Sequence, residues 1–375
     1  MSAIPAREYC AYNNTRDAPR VALVSFDSLG DTLIYLMVAD NLRRNGFRVT
    51  FYGSLAHQMR EWLPQLDIRL YPFPAIKEME TELEDYDLAI VSPPGFLRAR
   101  MDEAVTARLR EKWLLVCQKA PGNWRFNPAE SLREKLAPEK FQQLANLFEA
   151  SGSIRFRPFR DESVVEMTCA WLRERLRLEN VTKTPALQPP AGLFFRKYPR
   201  RIVVSPDSAG PEKKDRRPAS FLALCRRLKA RGFFPEIVVA PKRHTEWIER
   251  TGHEFPTPRF DAIGALCAYL YESGCVVAND SGNGHLASFL GVPVVTIYRK
   301  PNPRFHWRPD FAPPPRIFVH MWRRGVCGTT AVRKTGCCLP ALYAFRRQDG
   351  AVEIFPPSGA CRCRRRTAFV SGNSG

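Results

Sequence analysis

Short apolar runs that alternate with amphipathic helical patterns are the feature that most constrains the fold of this chain. The β-branched run "RVALVSF" (20–26) precedes a helical pattern that ends at Gly46. Four more apolar runs follow it: "RVTFYGS", "DIRLYPF", "YDLAIVSPP" and "KWLLVCQ". A helix is predicted over "HQMREWL" (57–63), between the second and third runs. Such alternation favours a parallel sheet wrapped by helices.

The same alternation begins again after a proline-rich stretch. An amphipathic helix within 159–180 leads into the linker "VTKTPALQPPAGL" (181–193). Beyond it, strands at "RRIVVSP" and "PEIVVAP" alternate with helices within 218–232 and 259–274. A chain of 375 residues is also too long for one ordinary core. We therefore predict an α/β protein in which two doubly wound Rossmann-like domains face a central cleft.

The composition excludes several classes of protein. The chain is 45% hydrophobic, and none of its apolar runs approaches the roughly 18 residues that span a bilayer. The first nineteen residues contain no apolar stretch that could serve as a signal peptide, so a cytoplasmic location is predicted. In that compartment the eleven cysteines are expected to be thiols or metal ligands rather than disulfides.

The net charge of +19 predicts an anionic partner. Nucleic acid is not expected, because the sequence has no helix-turn-helix, zinc-finger or RNA-recognition pattern. A phosphorylated glycolipid, an anionic membrane surface and a nucleotide substrate all stay open. The alternative is a basic surface that serves only solubility.

The segment "VVANDSGNGHLASFLGVPVVTIYR" (276–299) places several polar residues between two buried runs. A strand-to-helix connection needs one capping residue and one glycine, so the excess predicts a ligand. Gly282 and Gly284 let the backbone approach that ligand closely. A helix that begins near Asn283 offers unpaired N–H groups and the positive end of its dipole. These features together predict a diphosphate site.

Three side chains of this segment suit such a site. Ser281 can donate its hydroxyl, His285 can donate to a phosphate or sugar oxygen, and Asp280 can accept from sugar hydroxyls. In the other interpretation, Asp280 and Ser281 cap the helix and His285 is a satisfied buried histidine. The residues alone leave both interpretations open.

Two motifs resemble those of the family 9 glycosyltransferases, whose best-known members are the ADP-heptose:lipopolysaccharide heptosyltransferases. That family opens with a strand followed by S-L-G-D, which Ser28–Asp31 match here. It carries D-[ST]-G-x-x-H-L-A near its end, which Asp280–Ala287 match. The strand "RIVVSP" and the segment "HWRP" (306–309) extend the resemblance over roughly residues 20 to 310. The resemblance implies a GT-B fold.

It also implies an inverting transfer of a heptose from ADP-heptose to an acceptor sugar of the lipopolysaccharide inner core. The aspartate of S-L-G-D is the proposed general base of the family, which is Asp31 here, with Ser28 and Gly30 in the acceptor-side loop. The chemistry agrees, because the acceptor hydroxyl loses its proton as it attacks an oxocarbenium-like anomeric carbon. Alternatively, Asp31 only caps the first helix and Gly30 only turns the chain.

The resemblance also implies a lysine that meets the donor phosphates, within a K-x-W-P segment. The corresponding segment here is "GPEKKDRRPASF", which lacks the tryptophan. Lys214 is the preferred equivalent, with Lys213 and Arg216 as rivals.

Further donor contacts are predicted beside that lysine. Ser205 and Ser208 end the preceding strand and can hydrogen-bond phosphate, and Glu246 is assigned to the ribose or base of the nucleotide. No cofactor or metal is required for catalysis if the helix dipole and cationic side chains hold the leaving diphosphate.

Three segments divide the chain. Residues 1–180 are predicted to form the acceptor-binding domain with an interdomain helix, and residues 181–319 the nucleotide-sugar-binding domain. Residues 320–375 form a basic extension with ten Lys or Arg against two acidic residues.

Five of the eleven cysteines lie in this extension. A structural zinc or iron site needs about four thiolates, and Cys327, Cys337, Cys361 and Cys363 are the predicted ligands. The spacing lacks a C-x2-C knuckle, so free thiols in a basic, partly disordered tail are the alternative.

The predicted partners are an ADP-heptose-type nucleotide sugar and an anionic lipopolysaccharide core, met as a peripheral protein at the cytoplasmic membrane surface. One alternative is a protein O-heptosyltransferase that uses the same donor. Another is a sugar-nucleotide-binding module that has lost catalysis. The presence of Asp31, Asp280 and His285 together favours an enzyme.

Overall fold

The computed structural model describes most of both predicted domains. It describes residues 18–25, 28–71, 76–91, 113–115, 138, 162–208, 218–298 and 307–312, with the backbone of five strands between 316 and 355. In this part of the chain the strands form two large parallel or mixed sheets and one separate hairpin.

The first sheet has five parallel strands in the order β3-β2-β1-β4-β5. Its strands are β1 (Arg20–Val24), β2 (Arg48–Tyr52), β3 (Asp67–Arg69), β4 (Leu88–Val91) and β5 (Trp113–Leu115). Each of them lies within one of the predicted apolar runs. β1 is central, with β2 and β3 on one side and β4 and β5 on the other, as in a doubly wound domain.

The second sheet has seven strands in the order β12-β11-β10-β9-β8-β6-β7. They are β6 (Tyr198–Ser205), β7 (Phe234–Ile237), β8 (Ser273–Asn279), β9 (Val294–Tyr298), β10 (Arg316–Met321), β11 (Cys327–Thr329) and β12 (Cys337–Leu339). The five strands from β7 to β10 are parallel, and β11 and β12 continue the sheet antiparallel. β13 (Ala344–Gln348) and β14 (Ala351–Phe355) form the hairpin. The boundary predicted between residues 319 and 320 falls within β10.

Eight α-helices accompany these strands in the described residues. They are α1 (Leu29–Arg44), α2 (Ser54–His57), α3 (Ile76–Glu82), α4 (Val164–Glu174), α5 (Pro218–Ala230), α6 (His244–Thr251), α7 (Ile263–Tyr271) and α8 (Gly282–Phe289).

The helix predicted over 57–63 is wrong. α2 begins earlier, directly after the extended residue Gly53, and a separate 3-10 turn covers Arg60–Trp62. Pro64 disfavours helical backbone at Leu63, which has φ −135°. The segment between Gly53 and Pro64 is therefore too short for a sustained helix.

One continuous hydrophobic core joins the two domains. It contains most of α1 together with Leu266 of α7, Phe289 of α8 and Phe311. A second core lies between β6, β7 and β8 and the helices α5 and α6, around Phe221 and Trp247. The shared core means that α1 packs against both domains.

The linker is held by side chains of the first domain. Asn41 on α1 makes two hydrogen bonds with the backbone of Thr182 in the linker, at 2.8 and 2.9 Å. Asn45, the C-cap residue of α1, makes two with the backbone of Glu179, just before the linker, at 2.8 and 3.0 Å. Further along, Gln65 Nε2 donates to the carbonyl of Ala186 at 2.8 Å.

Four cysteines have described side chains, and all four are free thiols, as predicted. Burial raises the pKa of Cys169 to about 11 and that of Cys275 to about 12, so neither is a reactive thiolate at neutral pH. Within the described ranges, the search for a helix long and apolar enough to cross a bilayer finds none.

Candidate active site

Both predicted motifs lie where parallel strands end and the strand order reverses. Residues 25–31 follow β1, whose neighbours β2 and β4 lead to opposite sides of the first sheet. Residues 280–285 follow β8. In the second sheet β6 lies between β7 and β8, so the strand order reverses between β6 and β8. Doubly wound sheets bind ligands in the crevice at such switch points.

The two motifs meet at the seam between the domains, where the first turns of α1 and α8 pack together. A Cβ added at Gly282 would lie 3.1 Å from Cβ of Leu29, and one added at Gly30 would lie 3.8 Å from Cδ2 of His285. Gly282 therefore lets α8 approach α1 closely, a packing reason beyond the predicted approach to a ligand. The positive ends of two helices converge at this point.

Asp31 lies in the first turn of α1 and is partly buried. Ser28, not Asp31, occupies the N-cap position, and its side chain makes no capping hydrogen bond. The interpretation of Asp31 as the capping residue is therefore wrong. Its position near the positive helix end favours the ionised carboxylate, which is the form that a general base requires.

Side chains at the ends of β6 and β8 hold the donor side of the crevice together. Asn283 Nδ2 donates to Ser205 Oγ at 2.9 Å, and Asn279 Nδ2 donates to the carbonyl of Pro206. Ser205 is fully buried and supports Asn283, whereas Ser208 is partly exposed at the crevice edge. The structure thus brings the predicted residues Ser205 and Asn283 together.

Several buried polar atoms at this edge have no hydrogen-bond partner in the described part of the chain. They are Asn279 Oδ1, Ser281 Oγ and Thr296 Oγ1. A buried polar atom without a partner costs free energy, so such groups are rare. Their concentration at the ends of β8 and β9 indicates that ordered water or a polar ligand completes the hydrogen bonding here.

Aromatic side chains enclose His285. Its ring lies edge-to-face with Trp307 and Phe311, at centroid distances of 6.1 and 6.5 Å, and is almost fully buried. Beside it, burial and then the negative charge of Asp280 raise the pKa of Tyr298 well above its usual value. Tyr298 therefore stays protonated and donates to the carbonyl of Trp307 at 3.3 Å.

A partly buried polar cluster, here called the interdomain clamp, fixes the segment 307–312 to α4 and the linker. The interdomain clamp consists of Ser163, Glu166, Lys183, Arg308 and Asp310. Ser163 Oγ donates to Asp310 at 2.8 Å, and Lys183 Nζ donates to Glu166 at 2.9 Å and to Asp310 at 3.2 Å. Arg308 donates to Glu166 at 3.0 Å. The segment that covers His285 is thereby anchored.

The interdomain clamp also changes the ionisation of Glu166. Burial acts to raise its pKa, but the hydrogen bond and charge of Lys183, with Arg308, outweigh burial and leave the pKa below its ordinary value. Stability from this group is fully present above the ordinary value of 4.5 and is lost as the pH falls through the lower folded pKa.

Sequence reasoning missed one acidic residue of the crevice. Asp207 is buried directly after β6, and its Oδ2 accepts from the backbone N–H of Ala240 at 2.8 Å. It lies in "SPDS", between two serines that were singled out, so a local signal for it existed. Asp207 fixes the connection after β7 against the end of β6.

Glu246 lies in the first turn of α6 and is already engaged. Its carboxylate accepts from Arg243 at 3.1 and 3.2 Å and from Arg250 at 2.8 Å. The hydrogen bond from Arg243 lowers its pKa most, so the carboxylate is ionised. A contact with the ribose stays a prediction.

Other predicted residues lie outside the described residues. This holds for Lys214 and its rivals Lys213 and Arg216. Cys361 and Cys363 are likewise outside, and only the backbone of Cys327 and Cys337 is described, on β11 and β12. The metal site of the extension therefore stays a prediction. Among the side chains that are described, no group of His, Cys, Asp or Glu could hold a metal ion.

Two N-cap serines offer a matched test of the donor side. Ser281→Ala is expected to change the free energy of unfolding by less than about 0.5 kcal/mol, because its hydroxyl makes no capping bond. It should weaken ADP binding about fivefold, or roughly 1 kcal/mol, if the hydroxyl binds phosphate.

Ser163→Ala should instead lower the unfolding free energy by about 1–2 kcal/mol, because Ser163 caps α4 and donates a hydrogen bond to Asp310. Calorimetric titration with ADP measures the ADP affinity of each variant, and urea unfolding measures its unfolding free energy. Unchanged ADP affinity in Ser281→Ala would remove the hydroxyl from the site.

Several solved structures with a similar fold are glycosyltransferases. The chain is similar to a family 9 glycosyl transferase from Veillonella parvula, with a TM-score of 0.55 and 16% identity, over 83% of this chain and 88% of that one. It is similar to the ADP-heptose lipopolysaccharide heptosyltransferase II of E. coli, with a TM-score of 0.53 and 13% identity, over 81% of this chain and 91% of that one. The chain is also similar to the E. coli heptosyltransferase WaaC with ADP, with a TM-score of 0.51 and 15% identity, over 81% of this chain and 93% of that one. At these identities the likeness concerns the fold, and it confirms the predicted GT-B architecture.

The two doubly wound domains and the seam between them thus have the GT-B fold. The model of glycosyltransferase family 9 (heptosyltransferase) matches residues 183–310, which contain the second motif. This part of the chain is therefore similar to family 9 glycosyltransferases, as the resemblance implied. No curated protein sequence matches the chain.

Proposed function

We propose that this enzyme transfers a heptose, with inversion, from ADP-heptose to an acceptor sugar of the lipopolysaccharide inner core. The observation that carries the proposal is the meeting of Ser28–Asp31 with Asp280–His285 at the seam between the domains. It places a carboxylate suited to be a base beside a helix end suited to hold a diphosphate. Two of the similar structures are E. coli heptosyltransferases, one of them with ADP bound.

The proposed reaction is a single displacement at the anomeric carbon. Asp31 accepts the proton of the acceptor hydroxyl while that oxygen forms the new glycosidic bond, and the bond from the anomeric carbon to the diphosphate breaks. The electron pair of that bond leaves with ADP. The unpaired N–H groups of the first turn of α8, with Ser281 and Asn283, stabilise the charge on the diphosphate. Attack opposite to the leaving group gives inversion.

The cation assigned to the same diphosphate is Lys214. A lysine there would neutralise charge as it develops on the leaving group, and it would do so without a metal ion. Asp280 is assigned to the hydroxyls of the sugar, because its carboxylate can accept two hydrogen bonds at the carboxyl end of β8.

A product assay tests the proposed function. Purified protein is incubated with ADP-heptose and a lipid A core acceptor, and the release of ADP is followed. The mass of the product is then measured by mass spectrometry. A heptose added to the core, with inverted configuration by NMR, supports the proposal. ADP release only with a protein acceptor would favour the protein O-heptosyltransferase. ADP binding without turnover on any acceptor would favour a non-catalytic module.

Membrane association is part of the proposal, and an exposed surface of the second domain supports it. This surface, the aromatic-basic patch, consists of Phe194, Phe195, Lys197, Tyr198, Arg200 and Phe234. Phe194 and Phe234 are 64% and 61% exposed, far more than aromatic side chains usually are. Lys197 lies 5.8 Å from the centroid of Phe194, and Arg200 lies 5.7 Å from that of Phe234. Aromatic rings with adjacent cations suit the interface of an anionic bilayer.

Replacing the aromatic-basic patch should reduce membrane binding. The triple variant with serine at Phe194, Phe195 and Phe234 is expected to lower partitioning onto phosphatidylglycerol vesicles by at least about tenfold, because three apolar side chains no longer enter the interface. Leu70→Ser, at a residue 56% exposed in the first domain, is the matched control and should bind like the wild type. Vesicle co-sedimentation measures both. Equal binding of the two variants would exclude this surface.

A further inference from the structure

A cavity of about 210 Å³ lies at the amino edge of the first sheet. We call it the edge pocket. Its lining includes four arginines, Arg20, Arg43, Arg48 and Arg69, against one carboxylate, Asp67. Such an excess of positive charge around a small cavity is typical of an anion site.

Two of these arginines are already balanced within the protein. Arg43 is almost fully buried and pairs with Asp40 at 3.2 Å. Arg69 pairs with Asp67 at 3.0 Å. The guanidinium groups of Arg20 and Arg48, by contrast, form no ion pair with a carboxylate among the residues that the structure describes, although Asp87 accepts from the backbone N–H of Arg20 at 2.7 Å. The unbalanced positive charge of the edge pocket therefore comes from the guanidinium groups of Arg20 and Arg48.

Arg20 and Arg48 are held next to each other by the sheet. They are register partners at the first positions of β1 and β2, so their Cα atoms are neighbours on adjacent strands. Like charges at such positions destabilise a sheet unless something lies between them. Arg20 is further fixed by Tyr86, whose ring centroid lies 5.0 Å from its guanidinium carbon. An anion between the two guanidinium groups would remove the repulsion.

Gln65 supplies a different kind of contact to the edge pocket. Its Nε2 donates to the carbonyl of Ala186, which fixes the amide. Its Oε1 is buried and has no hydrogen-bond partner in the described part of the chain. An oxygen in this state requires a donor, which the fully ionised phosphate group of a monoester does not carry but a sugar or glycerol hydroxyl does.

We propose that the edge pocket binds a phosphate-bearing, hydroxylated molecule, with the phosphate between Arg20 and Arg48 and a hydroxyl donating to Gln65. Guanidinium groups bind phosphate oxygens in pairs, and the hydroxyl satisfies the buried amide oxygen. A soluble sugar phosphate and the phosphorylated head group of a lipid share this chemistry. The volume admits one small group of this kind.

The edge pocket is separate from the candidate active site. β1 runs from Arg20, at the pocket, to Val24, after which the chain leads to Ser28–Asp31 at the opposite edge. Five residues of strand cover roughly 13 Å. The proposal therefore goes beyond the proposed transfer reaction and does not depend on it.

Calorimetric titration of the full chain with glucose 6-phosphate, in saturating ADP, tests the site. The wild type is expected to bind it, and the double variant Arg20→Gln with Arg48→Gln is expected to lose at least tenfold in affinity. Without ligand, that double variant should unfold at the same temperature or higher, because a repulsion has been removed. Arg231→Gln, at an exposed arginine of the second domain, changes the charge similarly and should bind like the wild type.

Two further arms complete the test. At pH 8, Gln65→Leu should weaken the binding of glucose 6-phosphate more than that of methyl phosphate, because the methyl phosphate dianion has no hydroxyl to donate to the amide oxygen. Vesicles that contain phosphatidic acid distinguish a lipid head group from a soluble source: binding that the double variant loses assigns the lipid, and glucose 6-phosphate binding alone assigns the soluble compound. Absence of binding by all probes, equal affinity in the double variant and Arg231→Gln, or displacement by ADP would each overturn the proposal.

Discussion

Asp31→Asn is expected to lower kcat by about 10²–10⁴-fold while ADP affinity stays within a few-fold of the wild type. The amide keeps the shape of the side chain in the first turn of α1, but it cannot accept the proton of the acceptor hydroxyl. In the proposed arrangement ADP binds at the other motif, whose contacts the substitution leaves in place. ADP release at saturating donor and acceptor measures kcat, and calorimetry measures ADP affinity.

The control for this variant is Asp261→Asn, at a carboxylate that is 71% exposed and outside the seam. It should leave both quantities unchanged. Near-normal turnover in Asp31→Asn would show that the base lies elsewhere. Parallel loss of turnover and of ADP binding would show that Asp31 organises the seam instead of taking the proton.

Asp310→Ala is expected to lower the free energy of unfolding by about 3–5 kcal/mol. Asp310 is buried, accepts from Ser163 and Lys183, and belongs to the interdomain clamp. Its removal leaves the buried hydroxyl of Ser163 without an acceptor, and the partly exposed Lys183 keeps only its pairing with Glu166. The segment 307–312 should also loosen over His285, so we expect KM for the donor to rise. Urea unfolding and donor titration measure the two effects.

Asp261→Ala is the matched control, because Asp261 also pairs with an arginine, at 2.9 Å, but at an exposed site. Exposed pairs contribute little, so its unfolding free energy should fall by less than about 0.5 kcal/mol. If the two alanine variants were equally stable, the interdomain clamp would not hold the domains together.

The sequence was sufficient to predict the strands β1 to β9 and the two motifs, but not β10, β11 and β12 of the second sheet. Those elements depend on local patterns: β-branched runs such as 20–26, and glycines and polar residues placed directly after them. Because Ser28–Asp31 and Asp280–His285 each follow a predicted strand, they were also expected at sheet edges, and the structure brings these two edges together. Parallel strands share their carboxyl edge, so this much follows from strand order.

The rest depends on contacts that local patterns do not encode. Ser163 and Asp310 are 147 positions apart, and neither stands in a recognisable motif with the other. The close approach of Gly282 to Leu29 likewise depends on how two domains pack. The hairpin of β13 and β14 is different, because Asp349-Gly350 between two apolar-rich runs is a hairpin signal that was overlooked. The basic charge of 320–375 had suggested disorder instead.

The pairing of Asn41 and Asn45 with the linker has a mechanical consequence. α1 is 16 residues long, which makes it a rod of about 24 Å with the proposed base at one tip and the interdomain connection fastened near the other. A change in the angle between the domains therefore cannot bend the connection without turning this rod. Such a turn would change the distance between the carboxylate of Asp31 and the first turn of α8, so a closing motion of the domains would also reorient the proposed base.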